Sequence, residues 1–207
     1  MTKKFLEKVV EGVVGKSGKE LVNILERKKD INEFIIAKKL NMTINQVRNL
    51  LYKLSDIGLI SSSRKKDRRK GWYTYYWTLN IKNCLEYLKN TLYTNIEHLK
   101  DTLRSKESKR FYVCKYCGVE VTEENALLHN FTCNECGEIY ELADNSKQIK
   151  DMKNSIEKIQ NEIEEINLAL NKIYETESKK LMKEKHKRKK EKNKRIKKIK
   201  KRRVIQK

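Results

Sequence analysis

The sequence predicts a mainly α-helical protein built from several small modules. Its 207 residues include no proline and only seven glycines, the two residue types that most often interrupt a helix. Apolar residues recur every three or four positions over long stretches, which is the period of a helix with one buried face. Charged residues make up 37% of the chain and apolar residues 38%. This balance leaves too little apolar material for one large core and favours small cores joined by solvated helices.

Three helices are predicted in the N-terminal part of the chain. The spacing of leucine and isoleucine predicts one over residues 18–28, and Asp30 begins the next. Thr43 and Gln46 have the spacing of a capping box, in which each side chain bonds the backbone N–H of the other and so starts a third helix. Gly58 suits the left-handed turn at the end of that helix. The third helix is predicted to bury Val47, Leu50, Leu51 and Leu54.

Two strands joined by a basic turn follow these helices. Residues 59–63 and 72–79 are strand candidates, and residues 64–70 form the turn between them. Three helices and a hairpin predict a winged helix-turn-helix domain over residues 1–80. An additional helix at residues 3–11 is predicted to extend this domain.

Two long helices are predicted outside the winged-helix domain. Apolar residues spaced by three and four run through residues 81–104 and predict a linking helix within 81–109. A strict heptad repeat over 149–173 predicts a coiled-coil helix at 145–178. Isoleucine at both seam positions does not favour a parallel dimer. The heptad helix is therefore expected to pack against the linking helix or against a partner protein.

Two Cys-x-x-Cys-Gly units separated by 15 residues are the strongest chemical signal in the chain. Zn²⁺ prefers four soft ligands at tetrahedral corners, and four cysteines leave no open position for a catalytic metal. The sequence therefore predicts a small zinc ribbon over residues 110–142 that holds one structural Zn²⁺ and depends on it for folding. The four predicted ligands are Cys114, Cys117, Cys133 and Cys136.

Other interpretations of these cysteines fit the sequence less well. Two disulfides need an oxidising compartment, and a thioredoxin-like redox pair needs only one Cys-x-x-Cys unit. His129 lies within the ribbon and is an alternative ligand, although four cysteines complete the site without it. Cys84 is unpaired on the linking helix and is expected to be a buried or half-buried apolar residue.

The net charge of +21 is concentrated in two short segments. Residues 179–207 contain 18 Lys and Arg and two Glu, a net charge of +16, and residues 64–70 contain six bases and one acid, a net charge of +5. The rest of the chain is neutral. Basic appendages on a neutral body indicate an anionic polymer as the partner. The 179–207 tail is predicted to be disordered or a frayed helix that attracts phosphates without specificity, and a solubilising extension is the alternative.

The basic turn and the aromatic strand after it are a candidate nucleic-acid interface, because unpaired bases stack on aromatic faces beside a basic groove. Strand alternation predicts that one face of this strand is buried and the other exposed. The buried face is predicted to hold Tyr73, Tyr75, Trp77 and Leu79. The candidate contact residues are Arg64, Lys65, Lys66, Arg68, Arg69, Lys70, Trp72 and Tyr76. A solvated loop is the alternative interpretation of the basic turn.

The third helix offers less charge than the basic turn. Two cations are few for a helix that enters the major groove, although asparagine and glutamine can bond adenine. Its outward face is predicted to hold Asn45, Gln46, Arg48, Asn49, Tyr52 and Lys53.

Catalysis and membrane insertion are not predicted. The chain has no recognisable phosphate-binding glycine loop, nucleophile–base arrangement or open metal site, so it is not expected to be an enzyme. No apolar run approaches the roughly 18 residues of a membrane span. The N-terminus reaches its first acid, Glu7, without the apolar core of a signal peptide. A cytoplasmic protein without a membrane partner is expected.

A winged helix, a long linking helix and a four-cysteine ribbon, in that order, resemble archaeal transcription factor E (TFE), the counterpart of the alpha subunit of eukaryotic TFIIE. The wing at residues 67–80, with its Gly71-Trp72 start and its closing Tyr76-Trp77, is similar to the wing of that family. The lead-in at residues 54–60 and the ribbon spacing are similar too. The resemblance spans about residues 1–175.

This resemblance implies a basal transcription initiation factor. Proteins of the family bind the clamp and stalk of RNA polymerase and assist the TATA-binding protein and the TFIIB-like factor at promoters. They also help to open the DNA and touch its non-template strand. For this chain the resemblance implies zinc at the four cysteines and contact of residues 64–77 with the clamp or the non-template strand. A monomer is expected, with or without a second TFE-type subunit.

Two other functions are consistent with the sequence. One is a sequence-specific winged-helix regulator that dimerises through its long helix. The other is a structural coiled-coil or nucleoid protein that self-associates through residues 149–173. The basic tail lies outside the resemblance, which implies no role for it.

Overall fold

The structure, a computed structural model, describes residues 2–26, 28–66 and 71–205, and of residues 187, 189 and 192–205 it describes the backbone alone. The chain forms two units, one comprising Met1–Glu86 with Ile166–Lys207 and the other Tyr87–Glu165. From composition and periodicity, the sequence predicts that the chain has five parts. The boundaries of these five parts stay predictions.

The N-terminal part of the first unit has the element order of a winged helix. Its elements are α1 (Thr2–Val14), α2 (Gly18–Leu25), β1 (Ile31–Asn32), α3 (Glu33–Leu40), α4 (Ile44–Asp56), β2 (Ile60–Lys66) and β3 (Tyr73–Leu79). The strands form an antiparallel sheet in the order β1-β3-β2. Together with the long helices described below, this arrangement confirms the mainly α-helical class and the predicted helices and hairpin.

The core of this part lies between the helices and one face of the sheet. The apolar faces of α2 and α4 supply fully buried leucines such as Leu21 and Leu54, and Trp77 closes the core from β3. The added helix α1 buries Phe5, Leu6, Val9 and Val10. Helix α2 begins so close to α1 that a Cβ atom at Gly18 would lie 2.6 Å from the backbone nitrogen of Glu11. Only glycine therefore permits this packing of α1 on α2.

The start of α3 differs from the prediction. Asp30 does not begin the helix, because the chain first pairs Ile31 with Trp77 and Asn32 with Tyr76 at the edge of the sheet. The side chain of Asn32 then accepts a hydrogen bond from the backbone N–H of Phe34 and caps the helix. The added strand β1 fixes α3 against the sheet.

The predicted capping box of α4 is present. The N–H of Thr43 donates to Oε1 of Gln46 at 2.9 Å, and the N–H of Gln46 donates to Oγ1 of Thr43 at 3.4 Å. Thr43→Ala removes one of these partners and is expected to destabilise the winged helix by about 1 kcal/mol. Urea unfolding followed by tryptophan fluorescence tests this, since Trp72 and Trp77 both lie in this unit. An unchanged midpoint in the Thr43→Ala variant would contradict it.

The second unit contains a small ribbon. Its elements are β4 (Phe111–Val113), β5 (Glu120–Thr122), α6 (Glu123–Leu128) and β6 (Glu141–Leu142), and the strand order is β5-β4-β6. Thr132 and Ile139 form a single isolated bridge between the two later segments of the ribbon. Helix α6 was not predicted; Glu123 and Glu124 in its first turn interact favourably with its dipole.

Two long helices, α5 (Ile81–Ser108) and α7 (Ser146–Ile205), contribute to both units. In the first unit Lys82 pairs with Glu177 at 3.6 Å, and the Tyr174 hydroxyl donates to Glu86. In the second unit Lys153 pairs with Glu107 at 2.7 Å. Every heptad seam position from Ile149 to Ile173 is buried or half-buried within the chain.

Helix α7 also continues through the basic tail to Ile205. Of the two states predicted for the tail, the structure has the helical one. Among the described residues, none of the helices combines the length and the hydrophobicity of a transmembrane segment.

Candidate metal centre and nucleic-acid interface

The two cysteine units of the ribbon adopt matching turns. The N–H of Gly118 donates to the carbonyl of Cys114, and the N–H of Gly137 donates to the carbonyl of Cys133, both at 2.8 Å. These glycines have φ of 71° and 76°, a conformation that other residues adopt only with strain. Each turn therefore directs both of its thiols to the same side.

The four thiols meet at one point of the ribbon. The Sγ atoms of Cys114 and Cys136 lie 3.4 Å apart, those of Cys117 and Cys133 3.3 Å, and all four lie within 4.8 Å of one another. A tetrahedral zinc with about 2.3 Å to each sulfur needs sulfurs about 3.8 Å apart. The donor set and its spacing fit zinc. Within the described residues, the cluster does not include His129, which is exposed after α6.

Hydrogen bonds to the sulfurs set their charge. Burial raises the pKa of Cys133, but N–H groups of Glu135 and Cys136 donate to its sulfur and bring the pKa down to about 6. The N–H of Glu138 lowers the pKa of Cys136, whereas burial and the neighbouring cysteine sulfurs raise it to about 12. The Tyr140 hydroxyl bonds the sulfur of Cys133, which raises the pKa of Tyr140 to about 12. Ionisation of all four thiols this close together requires a cation between them.

The wing, formed by β2 and β3, carries cations stacked on tyrosine rings on both of its faces. On one face Arg64 lies 5.1 Å and Lys66 5.9 Å from the centre of the Tyr73 ring. On the other face Lys65 lies 4.7 Å from the centre of the Tyr76 ring. Trp72, just before β3, is 75% exposed. The remaining candidate contact residues, Arg68, Arg69 and Lys70, lie outside the described residues.

Burial along β3 corrects part of the prediction. Trp77 and Leu79 are buried as expected, but Tyr75 is only half-buried and Tyr73 is 49% exposed. Tyr76, expected to be exposed, is half-buried. Side chains alternate between the two faces of the sheet as predicted, but β2 and β3 extend beyond the core. Tyr73 therefore lies opposite Lys66 on the neighbouring strand and not opposite an apolar residue. The outer part of the wing therefore has two accessible faces.

The outward face of α4 is less available than its sequence indicates. Arg48 forms a bidentate ion pair with Glu33, at 2.6 Å from Nη2 to Oε1 and 3.0 Å from Nε to Oε2. The hydrogen bond that Arg48 donates to the Glu33 carboxylate raises the pKa of Arg48. Gln46 is held in the capping box, and the Tyr52 ring packs edge-on against Trp77 with centroids 5.9 Å apart.

Glu33 is the important residue that the sequence analysis missed. Its side chain is only 1% exposed, and it lies on α3 beside apolar residues. An isolated acid next to Phe34, Ile35 and Ile36 was the available signal, because a buried carboxylate needs a cationic partner.

Sequence comparison relates this chain to a known protein family. A family model described as the TFIIE alpha subunit matches residues 4–108. The chain belongs to this family. It is 35% identical over 136 residues to Transcription factor E of Methanocaldococcus jannaschii, covering 66% of this chain and 79% of that protein. It is 38% identical over 146 residues to Transcription factor E of Ignicoccus hospitalis, covering 68% and 81%.

One solved structure, a possible transcriptional regulator from Methanosarcina mazei, has a TM-score of 0.41 and 18% identity over 49% of this chain and 88% of that one. Membership in the TFIIE alpha family rests on the sequence matches. It confirms the predicted resemblance. The family consists of transcription initiation factors of archaeal type and not of enzymes.

Proposed function

We propose that the chain is a basal initiation factor that binds the clamp and stalk of RNA polymerase. In this role it assists the TATA-binding protein and the TFIIB-like factor in assembling the promoter complex and opening the DNA, and its wing contacts the non-template strand. Two observations support this proposal. The chain belongs to the TFIIE alpha family, and its free cations and aromatic rings are concentrated on the wing and not on α4.

The small number of free cationic side chains on α4 argues against recognition of an operator sequence by this helix. A recognition helix discriminates bases with free arginine, lysine and amide side chains. Here the guanidinium of Arg48 is bound to the carboxylate of Glu33. Of the two cations on the predicted outward face, this leaves Lys53 to contact DNA. A helix with so little free charge is suited to docking on a protein or to weak backbone contact.

The wing is suited to unpaired DNA. Stacking of a base on an aromatic side chain contributes about 1–3 kcal/mol, and it needs a ring face that duplex DNA does not offer. Trp72 presents such a face, and the lysine and arginine side chains around Tyr73 and Tyr76 attract the adjoining phosphates. A strand exposed in an opened promoter presents both bases and phosphates.

Trp72→Ala is expected to weaken binding to bubble DNA by about 5- to 150-fold, the range that corresponds to one lost stacking contact. Because Trp72 is 75% exposed, the free energy of unfolding should hardly change. Fluorescence anisotropy with a labelled bubble measures the affinity. The matched control is Tyr116→Ala, which removes an aromatic ring that is 83% exposed on the ribbon. Equal losses for the two variants would exclude a specific role of the wing.

We propose that the ribbon holds one structural Zn²⁺ through Cys114, Cys117, Cys133 and Cys136. When bound, the metal neutralises the thiolates and supplies folding energy to a module whose own core is small. The ribbon surface carries exposed apolar side chains, with Tyr116 83%, Leu128 76% and Ile139 67% exposed. Exposed apolar groups of this kind suit a protein partner, and we assign the polymerase to this surface.

We propose that the chain is a monomer. The heptad seam of α7 is the feature that could join two copies, but Ile166 and Leu170 are buried in the first unit and Ile156 and Ile163 in the second. A seam already covered within one chain has no free face for a second copy. Light scattering of the full chain tests this, and a dimer would favour the alternative of a dimeric regulator.

Capture of archaeal RNA polymerase by the immobilised full chain tests the proposed function. Polymerase is expected to bind, and treatment with a zinc chelator is expected to reduce the binding because the ribbon unfolds. A variant with Lys180, Lys183, Lys185 and Lys190 changed to glutamine controls for capture by charge alone. Failure of both proteins to capture polymerase would refute the proposal.

A further inference from the structure

The basic segment, residues 179–207, is the largest feature that the proposed function does not use. It carries a net charge of +16 and lies well beyond the match to the family model, which ends at residue 108. We infer that the basic segment is a separate nucleic-acid site, which binds the phosphate backbone of duplex DNA without reading its sequence.

The side chains at the start of the basic segment are exposed. The described cations are Lys179, Lys180, Lys183, Lys185, Arg188 and Lys190, and all of them are exposed. Among these described side chains, Lys179 forms an ion pair with Glu175 at 3.8 Å, and no ion pair is found for the other five. Among the described side chains, these five cations are therefore exposed and carry no ion pair.

The charge density of the basic segment matches that of a duplex. A helix rises about 1.5 Å per residue, so the helical part of the basic segment, residues 179–205, spans roughly 40 Å, and its net charge of +15 gives one positive charge about every 3 Å. Duplex DNA has one negative charge about every 1.7 Å along its axis. Like charges at neighbouring helical positions repel one another, and phosphates that approach the helix relieve this repulsion while releasing condensed counterions.

The composition of the basic segment favours duplex DNA over other polyanions. Residues 179–207 include no Phe, Tyr or Trp, so no ring is available for the stacking that holds unpaired bases. Binding to an anionic membrane needs an apolar face with aromatic or leucine anchors, whereas the six apolar residues of the segment are spaced so that they sustain no continuous helical face; they are Leu181, Met182, Ile196, Ile199, Val204 and Ile205. Backbone attraction alone is strongest for the partner with the densest phosphates, which is the duplex.

The basic segment begins beside the wing. In the first unit a cavity of about 530 Å³ is lined by Ser61 and Thr78 of the sheet and by Lys180 of α7. Strand alternation puts Ser61 and Thr78 on the face of the sheet that bears the stacked pair Lys65 and Tyr76. One DNA molecule can therefore contact the wing with an unpaired strand and the basic segment with its adjoining duplex.

Neutralising the basic segment tests this inference in the full chain. The test variant changes Lys180, Lys183, Lys185 and Lys190 to glutamine. The matched control changes four exposed lysines elsewhere on α7, namely Lys147, Lys150, Lys158 and Lys172, so that net charge falls equally. For a duplex of about 30 base pairs, we expect the test variant to bind at least about 100-fold more weakly at low salt. The slope of log affinity against log salt should fall by about 3 to 4.

Three results would overturn the inference. The first is an equal loss of duplex affinity in the test variant and in the control. The second is tighter binding of the unaltered chain to phosphatidylserine vesicles than to the duplex. The third is a loss of affinity in the test variant that is larger for single-stranded oligo-dT than for the duplex. Circular dichroism verifies that both variants keep their helix. Polymerase capture by the test variant should be unchanged, so failure of the duplex measurement does not bear on the proposed function.

Discussion

Replacing Cys133 with serine is expected to remove bound zinc completely and to unfold residues 110–142. Cys133 is 2% exposed, and its sulfur lies 3.3 Å from that of Cys117 at the centre of the cluster. A hydroxyl in its place is a poor zinc ligand, and three thiols do not close a tetrahedral site. Because structural zinc supplies about 10–16 kcal/mol in small zinc modules, the ribbon cannot retain its fold without the metal.

Zinc content and hydrogen exchange measure the two effects separately. We expect one zinc per chain in the unaltered protein and none in Cys133→Ser, with loss of amide protection confined to the ribbon. The control is Cys84→Ala, a buried cysteine of α5 outside the cluster, which should keep its zinc. Zinc binding should also strengthen as pH rises, because protons compete for the same sulfurs. Retention of one zinc by Cys133→Ser would contradict the assignment of the four ligands.

Local sequence was sufficient to predict the features that depend on neighbouring residues. The capping box of Thr43 and Gln46 lies within one helical turn, and both cysteine turns close over five residues. The heptad of α7 was recognisable because a buried helical face repeats its apolar residues along a single segment. In these cases the interaction that stabilises the element and the pattern that reveals it occupy the same stretch of chain.

Features set by distant partners were not predictable in this way. Strand β1 has only two residues, and it exists because Ile31 pairs with Trp77 far along the chain. The exposure of Tyr73 follows from how far β2 and β3 extend past the core, which alternation alone does not reveal. The partner of Arg48 was missed for the same reason, since Glu33 reaches it from another helix.

Arg48→Ala is expected to destabilise the winged helix by about 3–5 kcal/mol. The variant leaves the carboxylate of Glu33, which is 1% exposed, buried without a cation. A buried unpaired charge costs far more than the net stabilisation of the pair that contained it. Urea unfolding measures the loss, and Lys53→Ala is the control because it removes an exposed cation from the same helix and should change stability by less than about 0.5 kcal/mol.

A double variant separates the structural role of Arg48 from a role in DNA binding. Glu33→Leu with Arg48→Met replaces the ion pair by apolar groups of similar size and should recover most of the lost stability. If Arg48 serves to neutralise Glu33, this double variant also retains the DNA affinity of the unaltered chain. Loss of duplex affinity with stability restored would instead identify Arg48 as a DNA contact and would return α4 to the role of a reading helix. The proposal that the wing and not α4 faces DNA therefore depends on this pair of measurements as much as on any substitution in the wing itself.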